Sequence, residues 1–303
     1  MTDTATRLSR PTLDLRPHPA VAVLGSGTMG QGIAQIAAST GHAVTLYDAD
    51  AIKAQSALAG IAAQLEKLVA KGKMASAAAA EAIAAIELSQ SVQVAVHRAD
   101  IVIEAVPEDM TLKVILLTEV LQHAPAHAMI ATNTSSLSIT ELGRRIGAHD
   151  RTVGLHFFNP PPVMELLEVV RGLETSEAII EKALHFAAGL GKTPIVVRDT
   201  AGFASSRLGV ILGAEAMRML ETGVASARDI DRAMELGYRH PMGPLKLTDL
   251  VGLDVRLSIL EHLQREIGEQ FRPPSLLRMM VRAGKLGKKT GEGFYVWKDG
   301  KPE

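Results

Sequence analysis

Residues 21–30 read Val-Ala-Val-Leu-Gly-Ser-Gly-Thr-Met-Gly, and this stretch constrains the chain more than any other. Four apolar residues predict a buried parallel strand that runs straight into Gly25-x-Gly27-x-x-Gly30. An amphipathic segment follows, with Met29, Ile33, Ile36 and Ala37 on one face. The order is strand, tight turn, helix. Gly25 permits the turn, Gly27 lets the backbone approach a pyrophosphate, and Gly30 lets the helix pack on its strand. Thr28 and Met29 open the helix, whose free N–H groups and positive dipole end favour phosphates. A second strand-like run, Ala43 to Tyr47, ends in Asp48. A carboxylate there accepts hydrogen bonds from a ribose 2′-hydroxyl and repels a 2′-phosphate, which selects NAD over NADP.

The rest of the chain has room for more than a nucleotide fold. At 303 residues, with 47% apolar and 21% charged residues, it is long enough for two soluble domains. A formal net charge of −1 gives no electrostatic reason to expect nucleic acid or an anionic membrane as partner. With no cysteine, disulfides, thiolate nucleophiles and cysteine-held metals are excluded, which suits a cytoplasmic location. No apolar run reaches the ~18–20 residues that span a bilayer. Residues 1–19 have neither an apolar core nor a strand pattern and are expected to form a flexible leader.

Strand and helix signals alternate up to residue 198. Leu58, Ile61, Leu65 and Leu68 predict a helix that ends near Lys71-Gly72-Lys73. The alanine-rich run from Met74 to Leu88 predicts a second helix, and the pair would make an αα excursion beside the sheet. Further strands are expected at Ile101 to Val106, Met129 to Thr132, Thr152 to Phe158, Leu166 to Val170 and Ile195 to Val197. Ser138 and Glu141 have capping-box spacing, and a helix through Ala188 opens at Ser176. From Ala204 onward the pattern is helical, with segments Val210 to Leu220, Ala227 to Leu236, Pro244 to Leu250 and Asp254 to Ile267. The expectation is therefore a Rossmann-type parallel sheet domain over residues 20–198 and an all-α domain over 199–303. The second would bury its apolar faces against another copy, as a homodimer.

Chemistry enters with His156-Phe157-Phe158-Asn159-Pro160-Pro161-Pro162 at the end of a strand, where ligands collect in open α/β sheets. Glu168 lies in Glu165-Leu166-Leu167-Glu168-Val169-Val170. On a strand it would share a face with Leu166 and Val170, so it needs a partner, and an imidazole would serve. Histidine is suited to move a proton near neutral pH, and a carboxylate fixes its tautomer.

Several motifs in order closely resemble the L-3-hydroxyacyl-CoA dehydrogenase family, including its bacterial 3-hydroxybutyryl-CoA members. They are the glycine motif, Glu104-Ala105-Val106-Pro107-Glu108, residues 133–139 (NTSSLSI), residues 156–169 (HFFNPPPVMELLEV), Pro241-Met242-Gly243-Pro244 with residues 249–254, and residues 287–295 (GKKTGEGFY). The resemblance implies NAD-dependent oxidation of an (S)-3-hydroxyacyl-CoA and the reverse reduction, a step of fatty acid β-oxidation. It makes His156 the catalytic base and Glu168 its partner. Ser135 and Asn159 fall at the nicotinamide and substrate end, Glu108 and Lys113 at cofactor-contacting positions, and Lys71 at a position that meets CoA. Ser206 replaces an asparagine of the family pattern near the catalytic pair. Readings that remain beside it are a dehydrogenase of another hydroxy acid or of 3-hydroxyadipyl-CoA, and a dinucleotide-binding relative without turnover. His123 and His127 have metal-ligand spacing, but Pro125 breaks the helix that spacing requires, and no metal is expected.

Overall fold

The computed structural model describes residues 18–303, so the expected leader, residues 1–19, falls outside the described residues except for His18 and Pro19. The chain divides into two compact units, one ending at Asp199 and the other spanning Thr200–Glu303. The first runs through β1 (Val21–Leu24), α1 (Thr28–Ser39), β2 (Val44–Tyr47), α2 (Ala51–Ala70), α3 (Ser76–Ala84), β3 (Ile86–Ser89), α4 (Val92–Val96) and β4 (Ile101–Glu104). It continues through α5 (Met110–His123), β5 (Met129–Thr132), α6 (Ile139–Ile146), β6 (Thr152–Phe157), β7 (Leu166–Arg171), α7 (Glu177–Gly189) and β8 (Thr193–Arg198).

The strands form an 8-stranded sheet in the order β3-β2-β1-β4-β5-β6-β7-β8. From β3 to β6 all neighbours are parallel, β7 runs antiparallel to β6, and β8 is parallel to β7. The alternation of side chains along each strand explains why both faces are apolar. Val21, Val23, Leu46, Ile101 and Ile103 pack under α1, α2, α3 and α7. Ala22, Leu24, Val102 and Ile130 pack under α4, α5 and α6. Strand order reverses between β1 and β4, which opens a crevice beyond their carboxyl ends.

One local expectation is corrected here. The helix expected from Met74 to Leu88 stops at Ala84, and Ile86–Ser89 form the outer strand β3. Its ladder runs from Val44↔Ile86 to Tyr47↔Ser89. The exposed edge of β2 rewards parallel pairing, and that outweighs the weak helical preference of a few residues. The cap at Ser138 forms, with Ser138 Oγ accepting from the Glu141 N–H, while the Glu141 carboxylate takes Arg145 at 3.2 Å, and Gly147 ends α6 at φ +74°.

The second unit contains α8 (Ser205–Glu221), α9 (Ala227–Arg232), a π-helical turn at Ala233–Gly237, α10 (Pro244–Val251), α11 (Leu253–Glu266) and α12 (Ser275–Arg282). It is not purely helical, because β9 (Trp297–Lys298) and β10 (Lys301–Pro302) form an antiparallel ribbon. The helices bury Val210, Ala214, Met217, Leu245, Leu253 and Leu260 in a core of their own. Asp249 holds the following chain in place. Its carboxylate accepts from the N–H groups of Phe294 and Tyr295 and from Trp297 Nε1, each at 2.9 Å. A Cβ on Gly293 would lie 2.1 Å from Asp249 Oδ1. The family-like stretch 287–295 therefore closes the helical unit. No helix among the described residues is long and apolar enough to cross a membrane.

Gly154 faces Val170 across the β6–β7 ladder, and a Cβ there would lie 2.7 Å from Val170 Cβ and 3.0 Å from Ile139 Cδ1. Gly154→Ala should destabilise the protein by ~1–3 kcal/mol through overpacking. Gly189 ends α7 with nothing near its added Cβ, so Gly189→Ala should stabilise by ~0.5–1 kcal/mol. Urea unfolding of the two variants measures both signs.

Candidate active site

The turn after β1 places three glycines in three different situations. Gly25 sits at φ +100°, where a Cβ would also lie 2.7 Å from the Ala105 carbonyl oxygen. A Cβ on Gly30 would lie 1.8 Å from the Gly25 oxygen. A Cβ added at Gly27 would meet no atom within 4 Å, so this side of the turn is open for a ligand. Gly27 is the N-cap of α1 and makes no side-chain cap bond. At the end of β2, Asp48 Oδ2 accepts from the Ser26 N–H and hydroxyl, each at 2.8 Å, and Oδ1 accepts from the Asp50 N–H at 3.0 Å. Burial opposes the carboxylate, but these bonds and nearby Lys53 outweigh it and hold its pKa below the ordinary value. A cavity of ≈ 560 Å³ opens between the β1 and β4 loops, ringed by Gly27, Met29, Tyr47, Asp48, Lys53 and Leu112. An open phosphate-sized turn, an anchored carboxylate and a partly apolar cavity fit a dinucleotide.

Two glutamates organise the next strand ends. Glu104, the last residue of β4, is fully buried. Its oxygens take the Lys113 ammonium at 2.7 and 2.9 Å, the Val106 N–H at 2.7 Å and the Thr132 hydroxyl at 2.7 Å. Lys113, expected at a cofactor-contacting position, is buried against this carboxylate, and Glu108 Oε2 lies 3.5 Å from its Nζ. Glu108 Oε1 meanwhile accepts from the Thr134 hydroxyl at 2.6 Å, the Ser135 N–H at 3.0 Å, and the Ser136 N–H and hydroxyl at 3.1 and 2.9 Å. Partial burial raises its pKa, and these donors with Lys113 more than reverse that, so the carboxyl stays below its ordinary value. Glu108 thus ties the loop after β4 to the loop that carries Ser135. Sequence reasoning passed over Glu104, although it opens the Glu-Ala-Val-Pro-Glu motif.

His156 and Glu168 stand directly opposite each other in the antiparallel β6–β7 pair. Residues opposite one another project to the same face of a sheet. His156 Nδ1 lies 2.7 Å from Glu168 Oε2, with the imidazole 7% and the glutamate 0% exposed. The Phe158 ring sits 4.7 Å from the imidazole, tilted by 50°. Asn133 Oδ1 accepts from the Phe157 N–H at 2.9 Å, which ties β6 to the end of β5 just beyond their ladder. Asn159 follows in the exposed loop, at the same edge of the sheet as Ser135 and the glycine turn.

The remaining expected residues stand on other elements. Lys71 is the exposed C-cap of α2. Ser206 belongs to the second unit, in the first turn of α8. His127 Nε2 lies 3.1 Å from Asp100 Oδ1, and His123 is the last residue of α5.

Comparison with known proteins finds matches along both halves of the chain. Residues 20–200 match the family model for the 3-hydroxyacyl-CoA dehydrogenase NAD binding domain, and residues 202–297 match that for the C-terminal domain of the same enzymes. A probable 3-hydroxybutyryl-CoA dehydrogenase of Bacillus subtilis (strain 168) is 43% identical over 280 residues, covering 92% of this chain and 97% of the relative. A 3-hydroxyadipyl-CoA dehydrogenase of Escherichia coli (strain K12) is 40% identical over 280 residues, 92% of this chain and 59% of the relative. The crystal structure of (S)-3-hydroxybutyryl-CoA dehydrogenase from Ralstonia eutropha superposes with a TM-score of 0.90 at 41% identity, covering 93% of this chain and 100% of that one. With both of its halves matched in order, the chain belongs to the 3-hydroxyacyl-CoA dehydrogenase family.

Proposed function

We propose that the protein oxidises (S)-3-hydroxyacyl-CoA with NAD and catalyses the reverse reduction of 3-ketoacyl-CoA, with a four-carbon acyl chain as substrate. The observation that carries this reading is the buried His156–Glu168 pair at 2.7 Å, at the sheet edge that also holds the glycine turn. The chain's similarity to 3-hydroxybutyryl-CoA dehydrogenases supports the acyl length.

Glu168 fixes the proton of the neutral imidazole on Nδ1, so proton exchange falls to Nε2. In oxidation, His156 removes the 3-hydroxyl proton, and Glu168 stabilises the imidazolium that forms. The buried carboxylate acts at short range in a region of low dielectric, where a charge partner counts for more than in water. Bound NAD supplies the hydride acceptor at its nicotinamide ring. Ser135, held by Glu108, and Asn159 present polar groups to the reacting oxygen and the nicotinamide end. Gly25, Gly27, Thr28, Met29 and Gly30 cradle the pyrophosphate, and Asp48 accepts the adenosine ribose hydroxyls. Glu108, backed by Lys113, contacts the cofactor from the loop after β4. Lys71 meets the CoA moiety, and Ser206 offers one hydroxyl donor where an amide would reach further.

We also assign a homodimer. The second unit leaves Leu208, Leu236 and Tyr238 at 69%, 73% and 76% exposure, which supports association through this unit.

Three measurements test these assignments. With acetoacetyl-CoA as substrate, NADH oxidation should proceed, and NADH should be preferred over NADPH by about tenfold or more. Asp48→Ser should narrow that preference mainly through the cofactor KM. Equal use of the two cofactors removes Asp48 from its role. His156→Gln should lower kcat by ~10²–10⁴ with NADH binding nearly unchanged, and Glu168→Gln should lower it in the same direction. Turnover near the parent rate in both variants would show that the pair is not the reacting one. Light scattering should give about twice the chain mass of 32.2 kDa, and a monomer at micromolar concentration rejects the assembly.

A further inference from the structure

The connection between β6 and β7, residues 158–165, has an unusual demand for hydrogen-bond donors. Pro160, Pro161 and Pro162 contribute carbonyls but no N–H, so this stretch cannot satisfy itself as an ordinary turn does. Within the connection, the Pro160 carbonyl accepts from the N–H groups of Val163 and Met164, and the Glu165 carbonyl accepts from the Thr193 N–H. The Pro161 and Met164 carbonyls are taken by one side chain. Lys192 Nζ donates to Pro161 O at 2.6 Å and to Met164 O at 2.7 Å.

Lys192 is only 8% exposed, directly before β8. Burial pushes its ammonium below the ordinary lysine range, with the charge of Glu165 acting in the opposite sense. Burying that charge is costly, and two short charge-assisted bonds to backbone oxygens offset the cost. A second constraint acts on the same loop from α1. Gly32 lies under Pro161, and a Cβ there would come 2.7 Å from Pro161 Cδ. The helix that follows the glycine turn and the lysine before β8 thus grip one proline between them. The gripped loop joins the strand bearing His156 to the strand bearing Glu168 and carries Asn159 itself.

We propose that Lys192 is a positioning residue, whose ammonium holds the β6–β7 connection so that His156 meets Glu168 in register and Asn159 stands at the reacting edge. The proposal rests on the reading of His156 and Glu168 as the reacting pair. It assigns no proton transfer to Lys192, whose ammonium donates to the Pro161 and Met164 backbone oxygens. A displacement of about 1 Å in a reacting group can cost on the order of 10²-fold in rate, so loss of the grip should appear in turnover.

The test compares Lys192→Met, Lys192→Arg and a control in the full-length protein. The control, Ile86→Ala in β3, removes buried apolar atoms far along the sheet from the loop. Lys192→Met should lower kcat with acetoacetyl-CoA about tenfold or more, while the NADH dissociation constant stays within about threefold. Lys192→Arg, which keeps charge and donors, should recover part of the loss, and Ile86→Ala should keep kcat within about twofold despite a lower Tm. In protein without substrate or cofactor, the proton NMR resonance of His156 Nδ1–H, assigned by its absence in His156→Gln, should shift or broaden in Lys192→Met and stay in place in Ile86→Ala. Unchanged kcat and an unchanged resonance in Lys192→Met overturn the proposal, as does an equal loss of kcat in the control. If Lys192→Met does not fold, Lys192→Gln, which removes the ammonium that takes Pro161 O and Met164 O, decides: a displaced resonance with lowered kcat supports the grip, and parent behaviour in both overturns it. Should the parent not reduce acetoacetyl-CoA, the substrate reading fails by itself, and the resonance still judges Lys192.

Discussion

The buried contact between His156 and Glu168 is the interaction on which the proposed chemistry of the first unit depends. A carboxylate with 0% exposure is unfavourable unless a partner answers it, and removing one member of a buried pair costs ~3–5 kcal/mol. The pair survives because the antiparallel register sets the two residues opposite each other. A slip of one residue would turn Glu168 to the other face, leaving both groups without their partner. Register, not proximity in sequence, creates the site.

Carboxylates play the same connecting role elsewhere. Glu104 joins β4, β5 and α5 through Thr132 and Lys113, and Glu108 joins the following loop to the segment around Ser135. Asp199 Oδ2 accepts from the Ser138 hydroxyl at 2.7 Å and the Thr140 N–H at 2.8 Å, anchoring the end of β8 to the start of α6. In each case an anion accepts donors that strand ends and helix starts leave over. The loops at this edge of the sheet are therefore anchored, and a cofactor bound there would meet groups already oriented.

Lys113 and Lys192 show how burial changes the meaning of a residue. As letters in a sequence, both are solvated cations by default. In the fold, Lys113 neutralises Glu104, and Lys192 supplies donors to a proline-rich loop that has too few. Lys71 stays exposed at the end of α2. The three differ through their neighbours alone.

The sequence by itself determined the dinucleotide fold, because a glycine spacing between a strand and a helix is a local requirement that backbone geometry imposes. Asp48 at the end of the next strand and the cap at Ser138 were legible for the same reason. Residue alternation also implied that Glu168 needs a partner on its own face, the strand end offered His156, and family resemblance gave that histidine its expected role. What only the tertiary structure decided was pairing at a distance. The strand Ile86–Ser89 exists because β2 offers an edge, and no local pattern announces that. Glu104 and Lys192 gain their roles from groups brought together by strand order and loop closure, because a hydrogen bond depends on position in space and not on separation along the chain.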